Sequence, residues 1–498
     1  MRFIIRYFSG QFHQADRHRT FLLIAVAAMI LFLSIPVRAE NAAPPKKAKN
    51  VILMIGDGMG FNQTIAGAYW RYGKLGEMAC DQFPVHCGVT TFSSKGGPVP
   101  RHYEGYNPQT FWQNPKSAAA STELTTTTDS AAAITSLQTG EKTRTPYLGV
   151  GVDKKPLLLV SEVAKAAGKS TGAVSTMMGC HATPAGVGAH NAMRDDYSNI
   201  FLELTGENGL TVLVGAGHPC YNDKGVQLSE DKYDFKAVGG EATWEEIKST
   251  EGRNGYTLIE DVRNFEKLAR DKKNLPKKLL GIAKAGFSIP PVDGAPSTCP
   301  AENGVIEKMM EGVGTRNLPT LTTMSLAAIN VLSQNENGFY LMIEGGAIDT
   351  ACHENNQERF LMEQTGFTKA VDAIVQWVEN NSSWDETVLL VTADHETGFL
   401  WGAGTFLNQD GKPGYNADQD EFVAFRPIVN EGCGRVPGMQ FISSGHSNSL
   451  VPLWGIGPGI EELEKCCYGI DEKAAKMWNF SGKYLDNADI GMFLKSKM

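Results

Sequence analysis

The chain has no surplus of positive charge: 46 Lys and Arg stand against 55 Asp and Glu, for a formal net charge of -9. That balance argues against a nucleic-acid-binding surface. It leaves room for a small anionic substrate, which a few local cations can capture. Long hydrophobic runs are also scarce. The most apolar stretch, "FLLIAVAAMILFLSIPV" (21–37), is slightly short for a membrane span. It follows Arg2, Arg6, Arg17 and Arg19 and precedes "RAE", with Ala39 as the cleavage residue. This is the pattern of a secretory signal peptide over 1–39, so the expected location is periplasmic or secreted. If kept, the same segment would be an N-terminal anchor and the chain's membrane contact. No internal repeat stands out. The glycines of "VILMIGDGMGFNQ" (51–63) miss the G-x-G-x-x-G spacing of a dinucleotide site.

What is present is globular: 42% apolar and 20% charged residues, over a length that suits one large domain with insertions or two to three domains. There are nine cysteines. In an exported protein some pair, and an odd count leaves one free. Cys80 and Cys87 are close enough to close a small loop, while the adjacent Cys466 and Cys467 are not expected to pair with each other. After a polar linker (40–49), helical and strand-like segments alternate. Helices are expected at 157–169, 321–334 and 358–380, and buried strands at 51–56, 170–177, 338–346 and 386–396. Strands that are apolar throughout, separated by helices, imply an α/β fold with a mostly parallel central sheet covered on both faces. Segments 93–122 and 218–257 read as surface insertions.

In such a sheet, ligands bind beyond the carboxyl ends of the strands. The residues closing the strands are therefore informative. The first strand ends in Asp57 between glycines. "FYLMIEGGAIDTACH" supplies Glu344, Asp349 and His353; "VLLVTADHET" supplies Asp394 and His395; and His446 stands just before a further strand. Singly each residue is unremarkable, and Asp57 alone reads equally well as a turn residue bonding its own backbone. Together they form a candidate metal site with nitrogen and oxygen donors, which suits zinc, with magnesium where only oxygens gather. Asp349 and His353 share a face if their segment is helical.

"TTTTDSAAAITSLQTGEKT" (125–143) places Asp129 or Ser130 at a helix start. A serine there sits where backbone amides favour an anion, and a neighbouring metal can make it a nucleophile without a Ser-His-Asp arrangement. The G-x-S-x-G pattern does not occur in this stretch. "HATPAGVGAHNAMR" (181–194) offers His181, Thr183, His190 and Arg194, and an arginine can fork onto two phosphate oxygens.

With these residues in view, the chain resembles alkaline phosphatases of the bacterial exported type. "GDGMG", "TTDSAAA", "HATPAG…AH…R", "IEGGAID…H", "TADHETG" and "GHSNSLVPLW" fall in that family's order across about 50–460. The resemblance makes 50–460 the catalytic domain and 461–498 a C-terminal extension packed on it. It implies Ser130 as the nucleophile that becomes phosphoserine and Arg194 as the phosphate-binding arginine. It further implies Asp349, His353 and His446 on a first zinc. Asp57, Asp394, His395 and Ser130 would hold a second, and Asp57, Thr183 and Glu344 a magnesium ion. The implied reaction is hydrolysis of small phosphate monoesters, by a chain that can form a homodimer. Position 350 departs from the family: Thr350 stands where relatives carry tryptophan, histidine or lysine. With His181 beside Thr183, this opens the identity of the third metal. Cys180 and Cys352, beside His181 and His353, are expected to be inert and buried. The alternatives are a phosphodiesterase or sulfatase on the same scaffold, and a non-catalytic periplasmic metal or phosphate binder. The sulfatase signature C/S-x-P-x-R is absent beyond the leader, and no nucleophile or ligand position is degraded.

Overall fold

The computed structural model describes residues 46–103, 105–112, 122–250, 252–296, 299–301, 317–405, 415–416, 421–422 and 425–498. The expected leader and most of the linker (1–45) lie outside the described residues. An 11-stranded sheet organises the rest. Its strands in chain order are β1 (Asn50–Gly56), β2 (Val85–Thr90), β3 (Ser170–Met178), β4 (Val212–Ala216), β5 (Tyr256–Ile259), β6 (Lys278–Ile282), β7 (Phe339–Gly345), β8 (Thr387–Thr392), β9 (Val451–Ile456), β10 (Gly469–Ile470) and β11 (Lys483–Asp486). Across the sheet they run β10-β11-β2-β9-β8-β1-β7-β3-β4-β6-β5. From β8 to β5 every pair is parallel. The strand β9 is antiparallel to both neighbours.

The central position of β1 follows from its sequence. Val51 to Ile55 are all fully buried, and each such side chain contributes about 1.5–3 kcal/mol when removed from water. A strand apolar on both faces must therefore lie under two layers. The helices α1 (Phe61–Tyr72), α2 (Ser130–Thr139), α3 (Val160–Ala166), α4 (Leu321–Leu332), α5 (Ala347–His353), α6 (Gln357–Asn381) and α7 (Asn487–Lys497) supply them. One layer joins α1, α4 and α6; the other joins α2, α3 and α7.

Register aligns the strand ends. Ile55 stands opposite Glu344 on one side and Thr392 on the other, and Glu344 opposite Ser175 of β3. The residues following β1, β7 and β8 thus emerge side by side at one edge of the sheet. The turn after β1 needs its glycine. Gly58 has φ +75°, and a Cβ there would lie 2.9 Å from Asp349 Cα.

The C-terminal residues join this architecture, because β10 and β11 extend the sheet and α7 packs on α2. A Cβ at Gly491 would come within 2.5 Å of the Gly140 amide, so the two helices meet through glycines. Buried Lys142, just beyond α2, pairs with Asp486 at 2.8 Å and donates to Asn487 at 2.6 Å.

Two expectations change. The segment 218–257 is not irregular throughout: it holds a helix, Glu241–Lys248, and the start of the edge strand β5. Its polarity reflects an exposed helix with only Thr243, Trp244 and Ile247 turned inward. The described part of 93–122 docks through Tyr106 Oη and Trp112 Nε1, which both donate to Asp471 Oδ2 at 2.6 and 2.7 Å. Cys80 and Cys87 do not pair. Both are free, and the disulfide joins Cys299 to Cys433. That partnership spans 134 residues and leaves no local sequence signal.

Candidate metal centre

At the aligned strand ends the acidic and histidine side chains converge in two clusters that meet at Asp349. The first consists of Asp349 and His353, one turn apart on α5, and His446, which pairs with Thr397 across a short antiparallel bridge. His353 Nδ1 donates to the Ser444 carbonyl at 2.6 Å, and His446 Nδ1 to the Thr128 carbonyl at 2.7 Å. A carbonyl only accepts, so Nδ1 carries the hydrogen in both rings. Both Nε2 atoms then face inward, 3.1 Å apart and 3.3 and 3.6 Å from Asp349 oxygens. Two imidazole nitrogens and one carboxylate converging on one point are the donors of a zinc site with an open position. The hydrogen bond to Asp349 pushes His353 up to about 9. Burial alone would raise Asp349, but its hydrogen bonds from His353 and His446 hold it well below the usual carboxylate range.

The second cluster is closed off from solvent. Asp57, Glu344, Asp394 and His395 are all buried. His395 Nε2 lies 3.2 Å from Asp394 Oδ2 and 3.6 Å from Asp57 Oδ1. Asp394 Oδ1 accepts from the Gly58 and His395 amides at 3.1 and 2.9 Å, which fixes the carboxylate's plane. Ser175, one strand over, donates to Glu344, and Thr183 stands beside the same carboxylate. Asp57 Oδ1, Glu344 Oε1 and Asp394 Oδ2 are buried with no hydrogen-bond donor among the described residues. Each such oxygen costs on the order of 1–3 kcal/mol, more when charged. Burial, then the charges of Asp394, Asp349 and Glu344, pushes Asp57 well above its ordinary range. Burial likewise lifts Glu344 to about 7 and Asp394 to about 6. Three orphaned carboxylate oxygens fit a bound cation, which would satisfy all of them at once.

Ser130 is the first residue of α2, and Asp129 is its cap, accepting from the Ala132 amide at 2.9 Å. Ser130 Oγ lies 3.4 Å from Asp57 Oδ2 and 3.3 Å from His395 Nε2. The hydroxyl therefore meets the second cluster. Arg194 approaches from the other side, donating through Nη1 to Asp129 Oδ2 at 3.1 Å and through Nη2 to His181 Nε2 at 3.3 Å. His181 thus turns an acceptor toward the arginine. Burial, then Arg194, depresses it to about 3, so it stays neutral. Thr350 lies half-buried on α5. His190 is bound to Glu203 and the Leu157 carbonyl, away from this grouping. Cys180 and Cys352 are buried; burial pushes Cys180 up to about 12 and Cys352 well above its ordinary value.

One residue the sequence reading missed joins the clusters. Thr397 Oγ1 donates to Asp349 Oδ1 at 2.5 Å and lies 3.3 Å from His395 Nδ1. With its hydrogen given to Asp349, the hydroxyl accepts from His395 Nδ1–H, which directs His395 Nε2 toward Ser130. The signal was available: Thr397 follows His395 by two in an extended segment and so shares its face. Asp129 was read only as a cap, and its second duty toward Arg194 joins residues 65 apart.

The alkaline phosphatase family model matches residues 48–426. Alkaline phosphatase 4 of Bacillus subtilis (strain 168) is 30% identical over 409 residues, covering 79% of this chain and 72% of the relative. The alkaline phosphatase of Escherichia coli (strain K12) is 29% identical over 372 residues, 72% of each. Among solved structures, the alkaline phosphatase of the Antarctic bacterium TAB5 is similar with a TM-score of 0.58 and 24% identity. That likeness covers 91% of this chain and 99% of that one, and it shows a shared fold. A histidine-to-aspartate mutant of the TAB5 enzyme, with a TM-score of 0.56, has Mg bound in its M3 site. With its family model matched over most of its length, the chain belongs to the alkaline phosphatase family, enzymes that hydrolyse phosphate monoesters.

Proposed function

We propose that this phosphatase works through a phosphoserine at Ser130, with two zinc ions and one magnesium ion, on small phosphate monoesters outside the cytoplasm. Asp349, His353 and His446 would hold one zinc; Asp57, Asp394 and His395 the other, next to Ser130; Asp57, Thr183 and Glu344 the magnesium. When bound, the zinc ions supply Lewis acidity to the attacking and leaving oxygens. Thr183 and Glu344 add only oxygens, which suits magnesium, and His181 accepts from Arg194 through Nε2.

Ser130 Oγ attacks phosphorus in line with the leaving alcohol. Its proton is lost into the buried cluster that it touches. Arg194 grips two non-bridging oxygens, where charge is spread in the transition state. Asp129 and His181 hold the guanidinium in place from two sides. Water then attacks the phosphoserine, releasing inorganic phosphate and restoring the hydroxyl. Because the grip is on phosphate, the alcohol portion is weakly specified. Export is supported by the leader's pattern and by a disulfide between Cys299 and Cys433. No described helix is long and apolar enough to cross a membrane.

The observation that carries this reading is the position of Ser130 Oγ against Asp57 and His395. Enzyme mixed with an aryl phosphate and quenched in acid should carry phosphate on the Ser130 peptide. Phosphate on Thr128, or on no residue during full turnover, would refute it.

A further inference from the structure

Seven of the nine cysteines are free, and two of these meet. Cys87 lies within β2 and is buried. Its thiol shares a hydrogen bond with that of Cys467. The sheet sets up this contact. Gly88, next to Cys87, stands opposite Tyr484 of β11. The Tyr484 carbonyl accepts from the Tyr468 amide at 3.1 Å on the opposite edge of β11, and the helix Glu461–Lys465, which ends two residues before Cys467, packs on β2 itself. Its neighbour Cys466 turns away, with its sulfur 3.3 Å from the Glu462 carbonyl oxygen. Both Cys466 and Cys467 pack against the core cluster that contains Cys87.

We propose that Cys87 and Cys467 are a second disulfide-forming pair, oxidised by a small-molecule disulfide of the glutathione type. Cys467 is the attacking group. It is half-buried, and its thiol is held below the ordinary value by the Cys87 hydrogen bond first and by Lys483 as well. Cys87 is held well above its ordinary value by the same hydrogen bond and then by burial, so it stays a thiol until needed. The Cys467 thiolate attacks one sulfur of oxidised glutathione. A mixed disulfide forms and the first glutathione leaves as thiolate. Cys87 then gives up its proton and attacks the Cys467 sulfur, expelling the second glutathione. Two protein thiols are oxidised to one disulfide, one glutathione disulfide is reduced to two thiols, and the protons that leave the protein thiols end on the glutathione sulfurs.

The consequence lies at the active site's support. The segment from Cys467 onward holds β11 and α7, and α7 packs on the helix carrying Ser130. Tying Cys467 to β2 closes a long loop and restricts the unfolded chain. Oxidation should therefore slow heat inactivation several-fold without changing turnover at moderate temperature.

The test uses the full chain with Cys299–Cys433 intact. After incubation with excess oxidised glutathione, thiols counted in denaturant should number five instead of seven, and a non-reducing peptide map should join Cys87 to Cys467. Cys467→Ser should keep the remaining six thiols, whereas Cys466→Ser should fall from six to four. A wild-type count that stays at seven, or a map joining other cysteines, would overturn the proposal. The wild-type map decides the matter even if a variant fails to fold.

Discussion

The two ligand clusters differ in the exposure of their donors. The His353 side chain is 40% exposed, while Asp394 and His395 are wholly buried. In the first cluster backbone carbonyls fix two imidazoles. In the second, carboxylates crowd together and three of their oxygens lack donors. The open cluster is preorganised by hydrogen bonds, whereas the closed one stores repulsion that a cation would relieve. In the proposed reaction the open cluster would meet the leaving alcohol, and the closed one would act on the serine lying against it.

The largest expected effect tests the closed side. Ser130→Ala removes the proposed nucleophile, and kcat/KM should fall by at least about 10³-fold. Metal content, read by mass spectrometry, should stay near that of the parent, because the clusters keep their own ligands. Loss of metal together with activity would mean that Ser130 is chiefly a ligand. Next, Arg194→Ala should cost about 10²-fold in kcat/KM and weaken inhibition by inorganic phosphate. Lysine should restore only part, since it lacks the planar fork. Unchanged phosphate inhibition would place the anion elsewhere.

Thr397→Val probes the bridge between the clusters. Without the hydroxyl, Asp349 loses a donor and His395 loses the acceptor that fixes its ring. Zinc affinity should drop about 10–100-fold, and Thr397→Ser should recover it. Equal affinity in all three proteins would reduce Thr397 to packing.

The smallest effect separates the clusters by pH. His353, raised to about 9 by Asp349, must lose its proton to bind metal. Below pH 9 the open cluster should therefore lose roughly tenfold in zinc affinity per pH unit. Glu344 at about 7 and Asp394 at about 6 are mostly ionised at pH 8, which leaves Asp57, held well above its ordinary range by burial and its acidic neighbours, as the closed cluster's competing proton. Competition titrations at pH 7, 8 and 9 would show this, and a zinc affinity independent of pH at the open cluster would contradict it.

Much of this arrangement was legible in the sequence because it depends on local order. Apolar runs mark β1, β7 and β8, and a polar residue after each marks the sheet's carboxyl edge. The Asp349–His353 spacing needed only a helical turn to bring the pair together. What escaped depends on partners far apart in sequence. The carbonyls of Thr128 and Ser444 choose the tautomers of His446 and His353, and no side-chain pattern records a backbone carbonyl. His181, two residues from Thr183, invites a role at the third metal, and its Nε2 contact with Arg194 is a further one that no spacing records. Thr350 kept its place on α5, but nothing in its spacing said what would fill the room that a larger residue occupies.

Stepwise zinc addition to chelated enzyme, with magnesium present throughout, tests the two-cluster account most directly. Activity should be absent without zinc, should stay low through the first equivalent, and should return as the second is filled. Full turnover of an aryl phosphate by protein stripped of all metal would contradict it.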